Sequence, residues 1–174
     1  MFSVLQEPVP ASSLLRTCRQ GPDPAAWDHF SDCFSTTVIQ PVTLAEFVFA
    51  FYTSPVFRME RAILGWFDWP STDAEARDLA EGRRDRFAAW RVAERTETQL
   101  LVGDALGHTR SWFCITPDDG AGGTRLQFGS GIAAIRDPAT GQQRQSLGFR
   151  LLGGFHVLYS QVLLSAAASH LKPR

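Results

Sequence analysis

The sequence predicts an α+β fold in which a curved antiparallel sheet wraps around a long C-terminal helix, with two short helices after the first strand. Residues 87–134 alternate apolar and polar side chains between short turn signals, as consecutive antiparallel strands do. Residues 148–171 carry apolar side chains at helical spacing. Because the apolar face of a helix must lie against another element, we expect the sheet to receive this helix.

Length and charge restrict the classes of function. A chain of 174 residues corresponds to about one domain with one core. The 17 basic and 18 acidic residues leave a net charge of -1, which argues against nucleic acid as a partner. Thirteen Phe and five Trp predict a core, or a cavity wall, made largely of aromatic rings.

The first ten residues lack a basic region, and Glu7 and Pro8 interrupt their apolar run, so no secretory signal is predicted. No segment is long and apolar enough to predict a membrane span, and a cytoplasmic location is therefore expected. The three cysteines are odd in number and lack a CxxC spacing, which favours buried free thiols. The four histidines lack metal-ligand spacing, so neither a metal nor a cofactor is predicted.

Two regions are distinguished along the chain. Residues 1–24 are predicted to form a loosely packed N-terminal arm with one helical turn at residues 12–19, and residues 25–174 a single domain. The first strand is predicted at residues 33–39, which are rich in β-branched side chains and lie just before Pro41.

Two helices should follow this strand. Thr43 and Glu46 have the spacing of a capping box, and the helix they begin continues to Ser54. A second helix should begin at Pro55 and bury one apolar side, which comprises Val56, Met59, Ile63, Leu64 and Phe67.

Residues 71–86 form the one charge-dense stretch of the chain. Ser71 is predicted to cap a helix here, with Glu75 nearby. The charge pattern is typical of a solvated helix, and a lid segment is the alternative interpretation.

The turn positions predict the register of four successive strands. Across the middle turn, Ala105 should face His108, and the pairs Gly103 with Arg110, Leu101 with Trp112 and Gln99 with Cys114 should follow. On either side, the expected neighbours are Trp90 and Gly103, Val92 and Leu101, Phe128 and Trp112, and Ser130 and Arg110. One sheet face would then hold Trp90, Val92, Leu101, Trp112, Cys114, Leu126 and Phe128. We expect this face to lie under the C-terminal helix, although a slip of one residue would reverse it.

The C-terminal helix is predicted to present an apolar face centred on Phe155. That face includes Leu151, Leu158, Tyr159, Val162 and Ala166, with Leu152 and Leu163 at its edge. The other flank carries Val157, Leu164 and Leu171, which predicts either a homodimer or a cover formed by the charged helix.

Arg110 is the polar exception on the predicted inner face. Its forked guanidinium could anchor a carboxylate or phosphate at the mouth of an apolar pocket. The alternatives are a pair with Glu60 or Asp104, or a position at the sheet edge. His156 and Tyr159 lie on one flank of the final helix, where they could transfer protons or bind the polar end of a ligand.

Three stretches resemble a family of uncharacterised bacterial proteins with a domain of unknown function, within the START-like (SRPBCC, helix-grip) superfamily. They are SPVFRMERAIL at residues 54–64, LLVGDALGHTRSWFCIT at residues 100–116 and GFHVLYSQVLL at residues 154–164. The resemblance implies a helix-grip fold with an apolar cavity between the sheet and the C-terminal helix. It also implies binding of a small apolar ligand, or catalysis as in the polyketide cyclases.

Three functions are therefore expected from the sequence. The first is a binding module for a small apolar or amphipathic ligand whose acidic end lies near Arg110. The predicted ligand-binding residues are Trp90, Leu101, Arg110, Trp112, Phe128, Phe155, His156 and Tyr159. The second is a cyclase-like or isomerase-like enzyme that uses His156, Tyr159 and Arg110. The third is a protein-interaction module with a filled core.

Overall fold

The computed structural model describes residues 2–18, 30–66, 69–105, 107, 109–118, 122–132, 135–136, 143–144 and 147–171. Side chains are described at all of these positions except residues 30, 135–136, 143–144 and 147–155. The predicted contact of Ala105 with His108 therefore lies outside the described residues.

Nine strands and five helices are formed by the described residues. The strands are β1 (Leu5–Gln6), β2 (Phe30–Val38), β3 (Arg86–Phe87), β4 (Trp90–Arg95), β5 (Gln99–Asp104), β6 (Thr109–Asp118), β7 (Gly123–Ile132), β8 (Ile135–Arg136) and β9 (Gln143–Arg144). The helices are α1 (Leu14–Thr17), α2 (Leu44–Thr53), α3 (Pro55–Gly65), α4 (Asp73–Ala80) and α5 (Leu147–His170).

The fold is α+β, with a curved antiparallel sheet of seven strands and a C-terminal helix, as predicted at this level. The strands are ordered β1-β2-β7-β6-β5-β4-β3, and β8 and β9 form a separate hairpin. The strand β2 pairs with β7, which is the last strand of this sheet along the chain.

The predicted register is confirmed for one hairpin and wrong for its two neighbours. Between β5 and β6 the expected pairs are present, including Leu101 with Trp112. Between β6 and β7 the pairing is shifted by one residue, so that Trp112 faces Gly129 and Phe113 faces Phe128. Between β4 and β5, Trp90 faces Asp104, and the register shifts again between Val92 and Glu94.

The glycine at position 129 gives the shifted register a steric reason. A Cβ placed on Gly129 would lie 3.0 Å from Cε3 of Trp112 and 2.8 Å from the Asp32 carbonyl oxygen. The indole therefore lies over a position that only glycine leaves open. Because successive side chains alternate between faces, this one-residue shift moves Phe128 to the opposite face from Trp112.

Each face of the sheet covers its own core. The face toward α2 and α5 carries Phe34, Leu100, Val102, Phe113, Leu126 and Phe128. The face toward the N-terminal arm buries Val9, Leu14, Leu15, Cys18, Cys33, Leu101, Trp112 and Cys114. The prediction that Leu101 and Trp112 lie under the C-terminal helix is wrong, and so is the loose packing expected for the arm.

The caps of the first two helices are confirmed. Thr43 and Glu46 form the capping box of α2, and Ser54 caps α3 through a hydrogen bond from the Phe57 nitrogen. The apolar face predicted for α3 is wrong, because Met59 and Ile63 are exposed.

Two other side chains fix the orientation of α3. The ring of Phe57 packs against Phe51 and Tyr52 with centroid distances of 5.6 and 4.9 Å. Arg61 is buried and donates to the Tyr52 carbonyl, to Ser71 and to Asp73. Several acceptors thus stabilise this buried guanidinium.

The charged stretch forms α4, which begins one residue later than predicted. Thr72, and not Ser71, is the N-cap, and it completes a capping box with Glu75. The helix is not simply solvated, because Ala76, Leu79 and Ala80 are fully buried against the core of the sheet and α2.

The buried face of α5 also differs from the predicted one. Leu158 and Val162 are exposed, whereas a stripe of Ser160, Leu163, Leu164, Ala167 and Ala168 is buried. Ser160, Ala167 and Ala168 are small, and the helix packs against α2 and β2. No helix among the described residues is both long and apolar enough to cross a bilayer.

Candidate functional site

A cavity of about 180 Å³, partly open to solvent, lies between the sheet, α2, α3 and α5. Its apolar wall is formed by Phe51, Phe57, Trp90, Phe128, Ile132 and Leu163. Its polar wall is formed by Tyr52, Glu60, Thr109, Arg110, Ser111, Ser130, His156, Tyr159 and Ser160, and Gly131 completes the lining. The cavity is thus apolar over most of its wall, with polar groups that converge on it from three helices and the sheet.

Tyr52 lies in this wall, and its hydroxyl group is buried. It lies on α2 with 1% of its surface exposed, and its ring contacts Phe57, Phe87, Trp90 and Phe113. The hydroxyl has no hydrogen-bond partner among the described residues. Burial, and then the charge of Glu60, raises the pKa of Tyr52, so the group stays a neutral hydroxyl. A buried hydroxyl without a partner is uncommon in native proteins and calls for an explanation.

Glu60 and Tyr159 form the second polar feature of the wall. The Tyr159 hydroxyl donates to Oε2 of Glu60, and the pair links α3 to α5. Burial raises the pKa of Glu60, and the hydrogen bond from Tyr159 opposes that effect. Burial and the neighbouring Glu60 raise the pKa of Tyr159. Tyr159 is therefore a donor to the carboxyl group over the ordinary pH range.

Asp32 and His156 form the third polar feature. Oδ2 of Asp32 lies 3.4 Å from Nε2 of His156, and Oδ1 accepts a hydrogen bond of 3.0 Å from the Ser130 nitrogen. Burial raises the pKa of Asp32, while His156 and the Ser130 hydrogen bonds act in the opposite direction. His156 lines the cavity, and the Asp32 carboxyl lies within ion-pair distance of its ring.

Arg110 differs from these groups in the side of the sheet on which its side chain lies. Arg110 borders the cavity. On β6, the side chains of Ser111 and Phe113 lie on the face toward α2 and α5, whereas Arg110 shares the arm-side face with Trp112. Its Nη1 donates to the Cys18 carbonyl oxygen over 3.2 Å. The structure therefore directs the predicted anchor for an acidic ligand toward the arm.

The structure brings together some of the sequence-predicted site residues and separates others. Trp90, Phe128, His156 and Tyr159 line the cavity together. Leu101 and Trp112 lie on the opposite face of the sheet, where the Trp112 indole donates to Oε1 of Gln99. The side chain of Phe155 lies outside the described ones.

Sequence reasoning missed Tyr52, Glu60, Asp32 and Ser130 as site residues. The scarcity of tyrosine could have indicated Tyr52. The sequence has only two tyrosines, and both line the cavity. The contact of Asp32 with His156 joins β2 to α5 across more than a hundred residues, and no local pattern reports such a pair.

The described residues contain no group of His, Cys, Asp and Glu side chains that could hold a metal ion. Comparisons with protein-family models, with curated proteins and with solved structures gave no match. The chemistry of the site must therefore be argued from its own geometry, which offers hydroxyl donors, two carboxyl groups and one imidazole around an aromatic cavity.

Proposed function

We propose that this protein is a binding module that holds one small, ring-sized amphipathic molecule in the cavity between the sheet, α2, α3 and α5. The observation that carries the proposal is this cavity with Tyr52 in its wall, since the buried Tyr52 hydroxyl has no hydrogen-bond partner among the described residues. A filled core would leave no reason to keep a hydroxyl group there, since phenylalanine would fit without the cost of desolvation.

The size and walls of the cavity support a ligand with one ring. A dry cavity of about 150 Å³ is known to accept benzene, so about 180 Å³ accommodates a single ring with a short polar substituent. The rings of Trp90, Phe57 and Phe128 provide apolar contact surface. This volume also argues against the filled-core alternative.

The START-like, helix-grip assignment belongs to the same proposal. It is supported by the chain order of β2, the helices α2, α3 and α4, an antiparallel meander and a long final helix, with α4 additional to the two helices that the sequence predicted. A cytoplasmic location and the absence of nucleic acid as a partner remain predictions from composition. A homodimer also remains a prediction, but Leu164 in the stripe assigned to it is buried within the chain.

Benzyl alcohol is expected to bind the native protein at one site with a dissociation constant of about 1 mM or below, as for a ligand of this size. Ser160 is buried in the cavity wall, so Ser160→Leu should occupy the volume and weaken binding by about tenfold or more. Isothermal titration calorimetry measures the dissociation constants of the native protein and of the variant.

The matched control is Ser169→Leu, because Ser169 lies on the exposed side of the same helix. It should bind as the native protein does. No binding to the folded native protein, or equal binding by Ser160→Leu, would contradict the proposal.

A second candidate function is acid–base catalysis on the bound molecule, which the contact between Asp32 and His156 favours. A carboxylate behind an imidazole orients the ring and stabilises its protonated form. The catalytic set would be His156, with Tyr159 and Tyr52 as hydroxyl donors, and Arg110 would have no part in it. Recovery of a converted product from the titration, in place of the unchanged ligand, would support this function.

A further inference from the structure

We propose that the ligand of this cavity carries a protonated amine, with Glu60 as its counter-charge and the Tyr52 hydroxyl as a hydrogen-bond acceptor. This inference rests on the proposed function and names the chemical class that the site selects. It reverses the expectation of an acidic ligand near Arg110.

The charged side chains around the cavity differ in whether they have a partner of opposite charge or a hydrogen-bond acceptor. The Asp32 carboxyl faces His156, so this pair contains its own compensating cation when His156 is protonated. Arg110 directs its guanidinium to the Cys18 carbonyl, and Arg95 donates to the carbonyl oxygens of Leu79 and Ala80. Neither arginine donates to Glu60 among the described contacts.

Glu60 has no counter-charge among the described residues. Its hydrogen-bond partner is Tyr159, a neutral hydroxyl, and among the described side chains no cation acts on the pKa of its carboxyl group. Glu60 is half-buried, and a cation beside it would offset the cost of desolvating its carboxylate. A ligand that brings a positive charge into the cavity supplies the missing partner.

Tyr52 and the aromatic wall point to the same class of ligand. The Tyr52 hydroxyl has no partner among the described residues, and Glu60 is near enough to raise its pKa. One ammonium group has several donors and can therefore engage both the carboxylate and the hydroxyl oxygen. The rings of Phe57 and Trp90, with centroids 5.3 Å apart, border the same volume, and aromatic faces attract cations.

The test compares three probes of one size at neutral pH by calorimetry: benzylamine, which is protonated, benzyl alcohol, which is neutral, and benzoate, which is ionised. We expect benzylamine to bind about tenfold more tightly than benzyl alcohol, and benzoate more weakly than both. Glu60→Gln should bring the ratio of the first two affinities close to one. Glu97→Gln, at an exposed turn, is the matched control and should keep the native ratio.

The outcomes separate the two proposals. If benzyl alcohol binds and benzylamine binds no more tightly, the cavity stands as a binding site and the amine preference is overturned. An unchanged ratio in folded Glu60→Gln would equally overturn the role of Glu60. Failure of all three probes to bind the native protein would overturn the proposed function itself, and the amine preference with it.

Discussion

Leu164→Glu is expected to leave the protein largely unfolded. Leu164 is fully buried in the core between α5, α2 and the sheet. A glutamate there loses the packing of the leucine and places a charge in an apolar core. The combined cost exceeds about 4 kcal/mol, which is comparable with the whole stability of many domains. The free energy of unfolding in urea measures it.

Leu158→Glu is the matched control, six residues earlier on the same helix. Leu158 is 59% exposed, so the variant should unfold within about 0.5 kcal/mol of the native protein. The comparison also tests the homodimer predicted through Val157, Leu164 and Leu171. A native dimer by light scattering that Leu164→Glu turned into a folded monomer would contradict the buried position of this stripe.

Leu15→Ala should lower the free energy of unfolding by about 2–5 kcal/mol, as leucine truncation in a core does. Leu15 lies on α1 of the N-terminal arm and is buried over the sheet, where its Cδ2 would lie 3.4 Å from a Cβ on Gly129. The arm therefore covers a second core, which also includes Trp112. Urea denaturation followed by tryptophan fluorescence measures the loss.

Leu5→Ala removes the same atoms from an exposed position of the arm, where the side chain is 64% exposed. It should change the free energy of unfolding by about 0.5 kcal/mol or less. If both variants were equally mild, the arm would pack as loosely as its composition suggests, and the second core would be wrong.

Local signals in the sequence predicted local structure well. The capping box of Thr43 with Glu46 and the proline at the start of α3 are read from adjacent residues, and both are present. The turn between β5 and β6 is short, so counting from it gave the correct pairs. These features depend on backbone hydrogen bonds within a few residues, which the sequence specifies directly.

The faces of the elements could not be predicted in the same way. A shift of one residue between β6 and β7 exchanged the environments of Trp112 and Phe128, and both faces of the sheet proved to be apolar and covered. Alternation of apolar and polar side chains distinguishes a buried face of a sheet from a solvated one. It cannot tell the two faces apart where both are buried. On α5, the regular spacing of Ser160, Leu163, Leu164 and Ala167 indicates the buried face correctly. The predicted face was centred on Phe155 instead, because its side chains are larger.

The candidate site depends on contacts that are distant in sequence. His156 and Tyr159 were found because they share one helix flank, whereas their partners Asp32 and Glu60 lie about a hundred residues away. The unpartnered hydroxyl of Tyr52 is visible only when the helices are placed against the sheet. Packing, and not composition, therefore defines this site.

The most direct test of the cavity is a comparison of Tyr52→Phe with Tyr159→Phe. Tyr52 makes no hydrogen bond with the described residues, so Tyr52→Phe should be at least as stable as the native protein and should bind benzyl alcohol about tenfold more weakly. Tyr159→Phe loses its bond to Glu60 and should be less stable by about 1.5–3 kcal/mol. If Tyr52→Phe lost as much stability as Tyr159→Phe and bound the ligand unchanged, the Tyr52 hydroxyl would belong to the core, and the cavity would not be a binding site.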